Sequence, residues 1–457
     1  MRLDMEVAGK AISIIGAAKS GLSAARSLVK NGAKIFVSDI QPEDKLKASL
    51  EREGLLGQVE YEAGGHSEKI LHADFIVLSP GVRTDIPVLV EAADRNIPVY
   101  SEIEIAYRLS HGRRLVITGS NGKTTTTTLL AQFCRQQFNE VFLGGNIGIP
   151  MMEFATQTTA NSLQVLEVSS FQLETISAFK PDIAVITNFF ENHLDRYPSY
   201  NAYIEAKKRI ALNMQSTDTI VLNADQQMMH DMVDELNCRP AWFGWNVDGL
   251  KPSMTVIDDE FVYTEADGTR HKLFSASSVR IIGRHNLENV MCAALVAILA
   301  GVSKELLEAV VKEFPGVEHR LEWAGEVGGV TFINDSKGTN CAASITALQA
   351  CNPPLILIAG GRDKGTDLSD WITAVRTRSR GIVLFGEARS RFRSALEGLI
   401  PIKMANTLDQ ALEIAYTWAE PGNTVLLSPA CSSYDQFPNF EVRGEKFKQL
   451  VKSLEPK

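Results

Sequence analysis

Short, almost wholly apolar runs return along this chain at intervals that leave room for one helix between them. "AISIIG", "KIFVSD" and "DFIVLSPG" come first, and "RLVITG", "SLQVLEVSS", "PDIAVITN" and "DTIVLNAD" follow. "VTFINDS", "LILIAGG", "GIVLFG" and "TVLLSPA" close the series. Strands covered on both faces read as unbroken hydrophobic runs, and strand–helix alternation builds parallel sheets. One stretch breaks the rhythm. Between about 240 and 282, "AWFGW", "MTVID" and "FVYTEADGTRHKLF" follow without helical spacers, and Asp267-Gly268 is a hairpin signal. This predicts a small antiparallel appendage on a central domain. "GRHNLENVMCAALVAILAG" then closes that domain as a helix, with Asn286 as N-cap and Gly301 as stop.

The chain has 457 residues, which predicts about three domains. We place them at 1–108, 109–315 and 316–457. A net charge of −9 argues against a general nucleic-acid binder, which needs a basic face to displace counterions. It leaves room for a local basic pocket. Six cysteines without C-x-x-C or zinc spacing read as reduced thiols of a cytoplasmic protein. "AISIIGAA" is too short to span a bilayer and is followed by Lys19 and Arg26, so it reads as a buried strand rather than a signal peptide. No membrane segment is expected.

"ITGSNGKTTTTT", Ile117 to Thr128, is a phosphate loop with one glycine missing. A Walker loop reads G-x-x-x-x-G-K-[ST]; here Gly122, Lys123 and Thr124 supply the second half, and Ile117 stands where the first glycine should be. Backbone N–H groups from Gly119 through Ser120, Asn121 and Gly122 at a helix start attract anions. Lys123 adds a point charge, Thr124 a hydroxyl for Mg²⁺, and Thr125 lies within reach of a phosphate. The alternative is an ordinary strand–helix turn with a solvated lysine. Glu167, at the end of an apolar run, is either a Mg²⁺ ligand or a solvated loop carboxylate. His193 follows a strand in "NHLDRYPSYNAYIEAKKRI", and Lys207 lies on a helix further on. Residue type alone does not choose between ligand and structural roles for either. In "GAAKSG", Gly16 to Gly21, Ala18 replaces the middle glycine of a dinucleotide fingerprint, which weakens a nicotinamide reading. Asp39 ends the second strand, where an acidic residue would meet a ribose.

The ordered set "TGSNGKTT", "GGNIGIP", "EVSSFQLE", "NHLDRYPSYNAYIEAK", "GRHNLENV", "EHRLEW", "NDSKGTN" and "SPACSSYDQFPNFEVRGEKF" resembles the Mur ligase family over the whole chain. The resemblance implies an α/β protein of three domains: Rossmann-like, then P-loop ATPase-like, then Rossmann-like. It implies an ATP-dependent ligase of cytoplasmic peptidoglycan-precursor synthesis, monomeric, working through an acyl phosphate. The branch it resembles adds D-glutamate to UDP-N-acetylmuramoyl-L-alanine. By resemblance, Thr124 and Glu167 serve one Mg²⁺, while His193 and a carbamylated Lys207 serve a second. Asn286, Asn289, Arg320, Asp335 and Lys337 meet the nucleotide. Gly16, Ser20, Asp39 and Gly81 take the uridine nucleotide, and Asn146 and Ser169 face the muramoyl-peptide end. Thr339, Lys364, Ser433 and Phe440 hold D-glutamate. The chain departs from the family pattern at Ile40, Gln41 and Tyr434, and it lacks the Asp-Asn-Pro-Arg motif of the diamino-acid branch. Folylpolyglutamate synthetase is the nearest rival, but it lacks a UDP-binding N-terminal domain. An NAD oxidoreductase would leave the loop at 119 unexplained, and a non-catalytic ATP-binding regulator would leave Lys123, Glu167, His193 and Lys207 without a purpose.

Overall fold

A computed structural model describes residues 6–191, 196–363 and 365–456. They gather into two compact units. One runs to Ala276 and takes in Glu288–Val310; the other holds Ser277–Leu287 and everything from Val311 on.

The first unit contains two sheets. β1 (Ala11–Ile15), β2 (Lys34–Asp39), β3 (Glu60–Ala63), β4 (Phe75–Leu78) and β5 (Val99–Ser101) lie in the order β3-β2-β1-β4-β5. All their pairings are parallel. This is the Rossmann-like arrangement, with the strand order reversing at β1. The second sheet has nine strands: β6 (Arg113–Thr118), β7 (Val141–Gly145), β8 (Leu163–Glu167), β9 (Ile183–Ile186), β10 (Thr219–Asn223), β11 (Arg239–Phe243), β12 (Ser253–Ile257), β13 (Glu260–Thr264) and β14 (Arg270–Ser275). Their order is β14-β13-β12-β11-β10-β9-β6-β8-β7.

Two expectations need correction here. β11, the "AWF" run, pairs parallel with β10 and belongs to the main sheet, not to an antiparallel appendage. β12 then pairs parallel with the end of β11, so only β12–β13 and β13–β14 are antiparallel, and they prolong the sheet's edge. The wholly apolar end of β11 is buried like its neighbours, which a spacer-based reading could not tell from a hairpin strand. Asp267-Gly268 does turn the hairpin, with Gly268 at φ +97°. The closing helix is Arg284–Ala300, so Asn286 sits inside its first turn and is not the N-cap. Its Nδ2 donates back to the Ile282 carbonyl at 2.7 Å, whereas an N-cap side chain accepts. Gly283, at φ +101°, makes the entry. Gly301 ends the helix as expected: at φ +103° it lets the Val302 N–H reach the Ala297 carbonyl at 2.9 Å.

The second unit has one six-stranded sheet of β15 (Glu322–Val327), β16 (Val330–Asn334), β17 (Leu355–Gly360), β18 (Ser379–Phe385), β19 (Ile402–Met404) and β20 (Thr424–Leu427), ordered β15-β16-β20-β17-β18-β19. Only the β15–β16 pair is antiparallel. β17 is buried at every position and takes the middle. β15 and β19 are half-exposed edge strands, so neither reads as an apolar run.

Candidate active site

β6 leads into the phosphate loop, and sterics fix two of its glycines. A Cβ on Gly119, at φ +138°, would meet Thr187 Oγ1 at 1.9 Å. One on Gly122, at φ +80°, would meet Asn289 Oδ1 at 2.2 Å. Asn289 thus stands against the loop. Gly122 caps the helix Lys123–Arg135, whose first turn carries no acidic residue to compete with an anion. Lys123 Nζ lies over the loop, donating to the carbonyls of Gly119 at 2.9 Å and Ser120 at 3.0 Å. The Ser120 hydroxyl is engaged in holding the loop: it donates to Phe190 O at 3.0 Å and lies 3.0 Å from Tyr203 Oη. The Asn121 N–H goes to Asn188 Oδ1 at 2.8 Å.

The threonine run has a structural explanation. Thr125, Thr126 and Thr127 are buried, and the last two bond to Asn289 Oδ1 (3.3 Å) and the Lys123 carbonyl (2.8 Å). Thr124 turns instead to Glu167, donating to Oε2 at 2.8 Å, while Asn146 Nδ2 donates to Oε1 at 2.9 Å. Glu167 is buried at the end of β8. Ser169, two residues on, is the N-cap of a short helix, with its hydroxyl committed to a capping box with Gln172.

Lys207 is 2% exposed, near the end of the helix Tyr200–Lys208, with Nζ 4.7 Å from the centre of the Tyr203 ring. Burial first, and then the like charge of Lys123, hold its ammonium well below the ordinary lysine range; Glu167 opposes them. Structure therefore removes the reading of Lys207 as a solvated cation. His193 lies outside the described residues.

The turn at Gly16 forms a second cluster. Gly16, at φ +95°, abuts Ser79: an added Cβ would sit 2.7 Å from the serine Cβ and 2.9 Å from Val82 Cγ2. Asp39 accepts the Ala17 N–H at 2.5 Å and the Gln41 N–H at 2.8 Å. Ser20 lies half-buried in the first turn of the helix Lys19–Lys30, and Gly81 is exposed.

In the second unit, the loops after β16, β20 and β17 leave neighbouring strand ends. The first carries Asp335, Lys337 and Thr339; the second carries Ser433 and leads to Phe440. Lys364, in the third, lies outside the described residues. Arg443, wholly buried, clamps two of these loops. Its Nε and Nη2 donate to the Ser336 hydroxyl (2.9 Å) and carbonyl (2.8 Å), and Nη1 reaches the Cys431 carbonyl at 3.2 Å. Asp335 is buried, accepts from Ser428 Oγ at 2.7 Å, and has its carboxyl pushed up to about 7, burial outweighing Ser428 and Arg320. Burial, then the charge of Arg320, lowers His285 to about 4. Lys337 Nζ lies 5.7 Å above the Phe440 ring. Thr339 is half-buried and its N–H bonds to Lys337 O, whereas Ser433 is buried. All six cysteines are free thiols, and burial pushes Cys431 up to about 12, far from a nucleophile's range.

Three family models match in succession: "Mur ligase MurD-like, N-terminal domain" over residues 10–101, "Mur ligase middle domain" over 117–297, and "Mur ligase, glutamate ligase domain" over 319–431. The UDP-N-acetylmuramoylalanine–D-glutamate ligase of Acidobacterium capsulatum is 40% identical over 450 residues, covering 98% of this chain and 97% of that protein. The chain belongs to the Mur ligase family. The enzyme of the same name from Alkaliphilus metalliredigens is 37% identical over 455 residues, covering 98% of this Mur ligase and 99% of that protein. Among solved structures, the UDP-N-acetylmuramate–alanine ligase MurC of Thermotoga maritima aligns over 97% of this chain and 99% of that one. Its TM-score is 0.60 at 19% identity, a likeness of fold.

The groups that hold the site of this Mur ligase together left little mark in the sequence. Thr187, Asn188 and Tyr203 fasten the phosphate loop, and Arg443 fastens the loops of the second unit. Tyr203 falls four residues before Lys207, one helical turn, and that spacing was a usable signal. For Arg443 there was none, because an arginine in a charged helix reads as solvated.

Proposed function

We propose that this Mur ligase joins D-glutamate to UDP-N-acetylmuramoyl-L-alanine with ATP. The carrying observation is identity at about 40% to D-glutamate ligases along nearly the full chain. The Thr124–Glu167–Asn146 cluster beside Lys123 supports it. In this reading residues 1–108 bind the uridine nucleotide through Gly16, Ser20, Asp39 and Gly81, with Asn146 and Ser169 facing the muramoyl-alanine. Residues 109–315 bind ATP, and residues 316–457 bind D-glutamate through Thr339, Lys364, Ser433 and Phe440. Asn286, Asn289, Arg320, Asp335 and Lys337 complete the nucleotide site. The enzyme works in the cytoplasm as a monomer.

Substrate carboxylate attacks the γ-phosphorus, the bond to the ADP oxygen breaks, and an acyl phosphate forms. The D-glutamate amine then attacks the acyl carbon, the carbon–oxygen bond to phosphate breaks, and the amine loses a proton. Both steps bring like charges together, so the protein's task is positioning and neutralisation. Lys123 swings from the loop carbonyls to the β- and γ-phosphates. The Gly119–Thr124 backbone, with Thr125 behind it, fixes their direction.

Mg²⁺ prefers oxygen donors and is held by one or two carboxylates together with substrate phosphates. The buried Glu167 carboxylate and the Thr124 hydroxyl fit that preference. When bound, such an ion neutralises phosphate charge. His193 and a carbamylated Lys207 would hold a second ion. Lys207 suits carbamylation because its pKa is lowered: the neutral amine adds to CO₂, a nitrogen–carbon bond forms, and a proton leaves. The product is an anionic oxygen donor.

Phosphate release from ATP and Mg²⁺, measured with UDP-N-acetylmuramoyl-L-alanine and a panel of amino acids, tests the reading. D-glutamate should stimulate release far more than L-glutamate, L-alanine or L-lysine. Release that ignores D-glutamate would overturn it.

A further inference from the structure

Arg196 lies in the first unit, just before the helix that carries Lys207, and the chemistry above gives it no role. Both terminal nitrogens of its guanidinium are nonetheless engaged. Nη1 donates to the Pro80 carbonyl at 3.0 Å, and Nη2 to the Val82 carbonyl at 2.9 Å. Nη2 also reaches Glu174 Oε2 at 2.9 Å, and the group stacks on Phe171 with Cζ 4.1 Å from the ring centre. Both side chains of the ion pair are mostly buried, at 12% and 14% exposure. A planar fork held this way has a defined orientation, which a lysine ammonium cannot reproduce.

Pro80 and Val82 flank Gly81. The same short loop packs on Gly16, so it forms one wall of the turn read above as the uridine-nucleotide site. At the other end, Glu174 accepts the Tyr197 hydroxyl at 2.5 Å. The Tyr197 ring lies edge-on to Tyr203 at 5.5 Å, and Tyr203 bonds Ser120 of the phosphate loop. A continuous set of contacts therefore runs from the Ser79–Val82 loop to the phosphate loop through Arg196.

We propose that Arg196 is a positioning residue: it clamps the Ser79–Val82 loop to the second sheet's site and so sets the span that one extended substrate must bridge. This rests on the proposed function. A substrate whose nucleotide binds at one end and whose acyl group binds at the other gains affinity only when both ends engage together. Slackening the clamp should weaken the long ligand and spare the short one.

The experiment compares wild type, Arg196→Ala and Arg196→Lys by calorimetry with UDP alone and with UDP-N-acetylmuramoyl-L-alanine, and by steady-state kinetics. For both variants we expect UDP affinity within about twofold of wild type, with affinity for the full substrate down about tenfold or more, as loss of two-ended binding requires. KM for the uridine substrate should rise accordingly and KM for ATP should not. Glu174→Gln, which keeps the side chain's shape, should reproduce the same split in milder form. It carries the test alone if Arg196 variants do not fold. Equal loss for UDP and the full substrate, or loss for neither, overturns the proposal. A wild-type enzyme that binds no uridine substrate instead overturns the proposed function on which it rests.

Discussion

Two glycine turns in the first unit link a strand to a helix, and they dispose of their N–H groups in opposite ways. At Gly16, the carboxylate of Asp39 takes the Ala17 N–H, so the turn presents an acidic group held by its own backbone. At Gly119, the Ser120 and Asn121 N–H groups go to neutral acceptors on Asn188, and the following helix starts with lysine and threonine. The first arrangement suits sugar hydroxyls and disfavours a phosphate close to the turn. The second has no acidic residue in the first turn of its helix and a lysine at the start, which suits a phosphate. A glycine-rich turn thus states where a ligand approaches; the charge around its N–H groups states which one.

The contrast can be broken most directly at Lys123. Lys123→Ala should lower ligation by about 10²–10³-fold, the usual loss when a main transition-state donor is removed. Phosphate release under saturating substrates measures it, and near wild-type turnover would end the phosphate reading of this loop. If Lys207 carries the proposed carbamate, Lys207→Ala should cost about a hundredfold, as the loss of a group that organises a metal site typically does. Acetate or formate in the assay should then restore part of the activity by filling the space of the proposed carbamate. A variant that keeps most of its activity would return Lys207 to a packing role.

Asp39→Asn tests the other turn. The amide keeps one acceptor and loses the second, and one charge-assisted bond is worth about 1.5–3 kcal/mol. KM for the uridine substrate should rise about tenfold, with KM for ATP unmoved. A larger effect on ATP would erase the distinction between the two turns.

The smallest effect is expected away from both turns in sequence, at Glu102, the first residue of the helix Glu102–Leu109. This carboxyl is wholly buried, accepts from Gln172 Nε2 at 2.7 Å, and is pushed from 4.5 up to about 7 by burial. A raised carboxyl binds its proton more tightly in the folded state, so its stabilising effect is full below pH 4.5 and lost as pH rises toward about 7. Glu102→Gln keeps an acceptor for Gln172 and never ionises. Its melting temperature should exceed that of wild type by more at pH 8 than at pH 5. An identical difference at both pH values would mean that Glu102 is not protonated in the folded protein.

Which strands form, and in which α/β pattern, was legible because buried parallel strands write themselves as apolar runs. β17, buried throughout, is the clearest case. Half-exposed edges such as β3 and β19 escaped for the same reason, since nothing in their composition separates them from loops. The glycine turn between β6 and the helix Lys123–Arg135 and the order of the motifs were also legible, because each depends on residue type at short spacing, whereas the burial of Glu167 was not.

Tertiary structure alone decided what each charge means. Lys207 and Arg443 are written like any surface cation, yet one is buried against Tyr203 beside Lys123 and the other is walled in by two loops. The pattern makes Asn286 a cap, but the helix begins at Arg284 because Gly283 supplies the turn. Burial, like-charge proximity and hydrogen-bond direction depend on segments far apart in sequence, so local pattern carries no record of them. Short-range preferences therefore determined the elements and the order of the motifs, while long-range packing determined which side chains are dry, paired and close enough to act together.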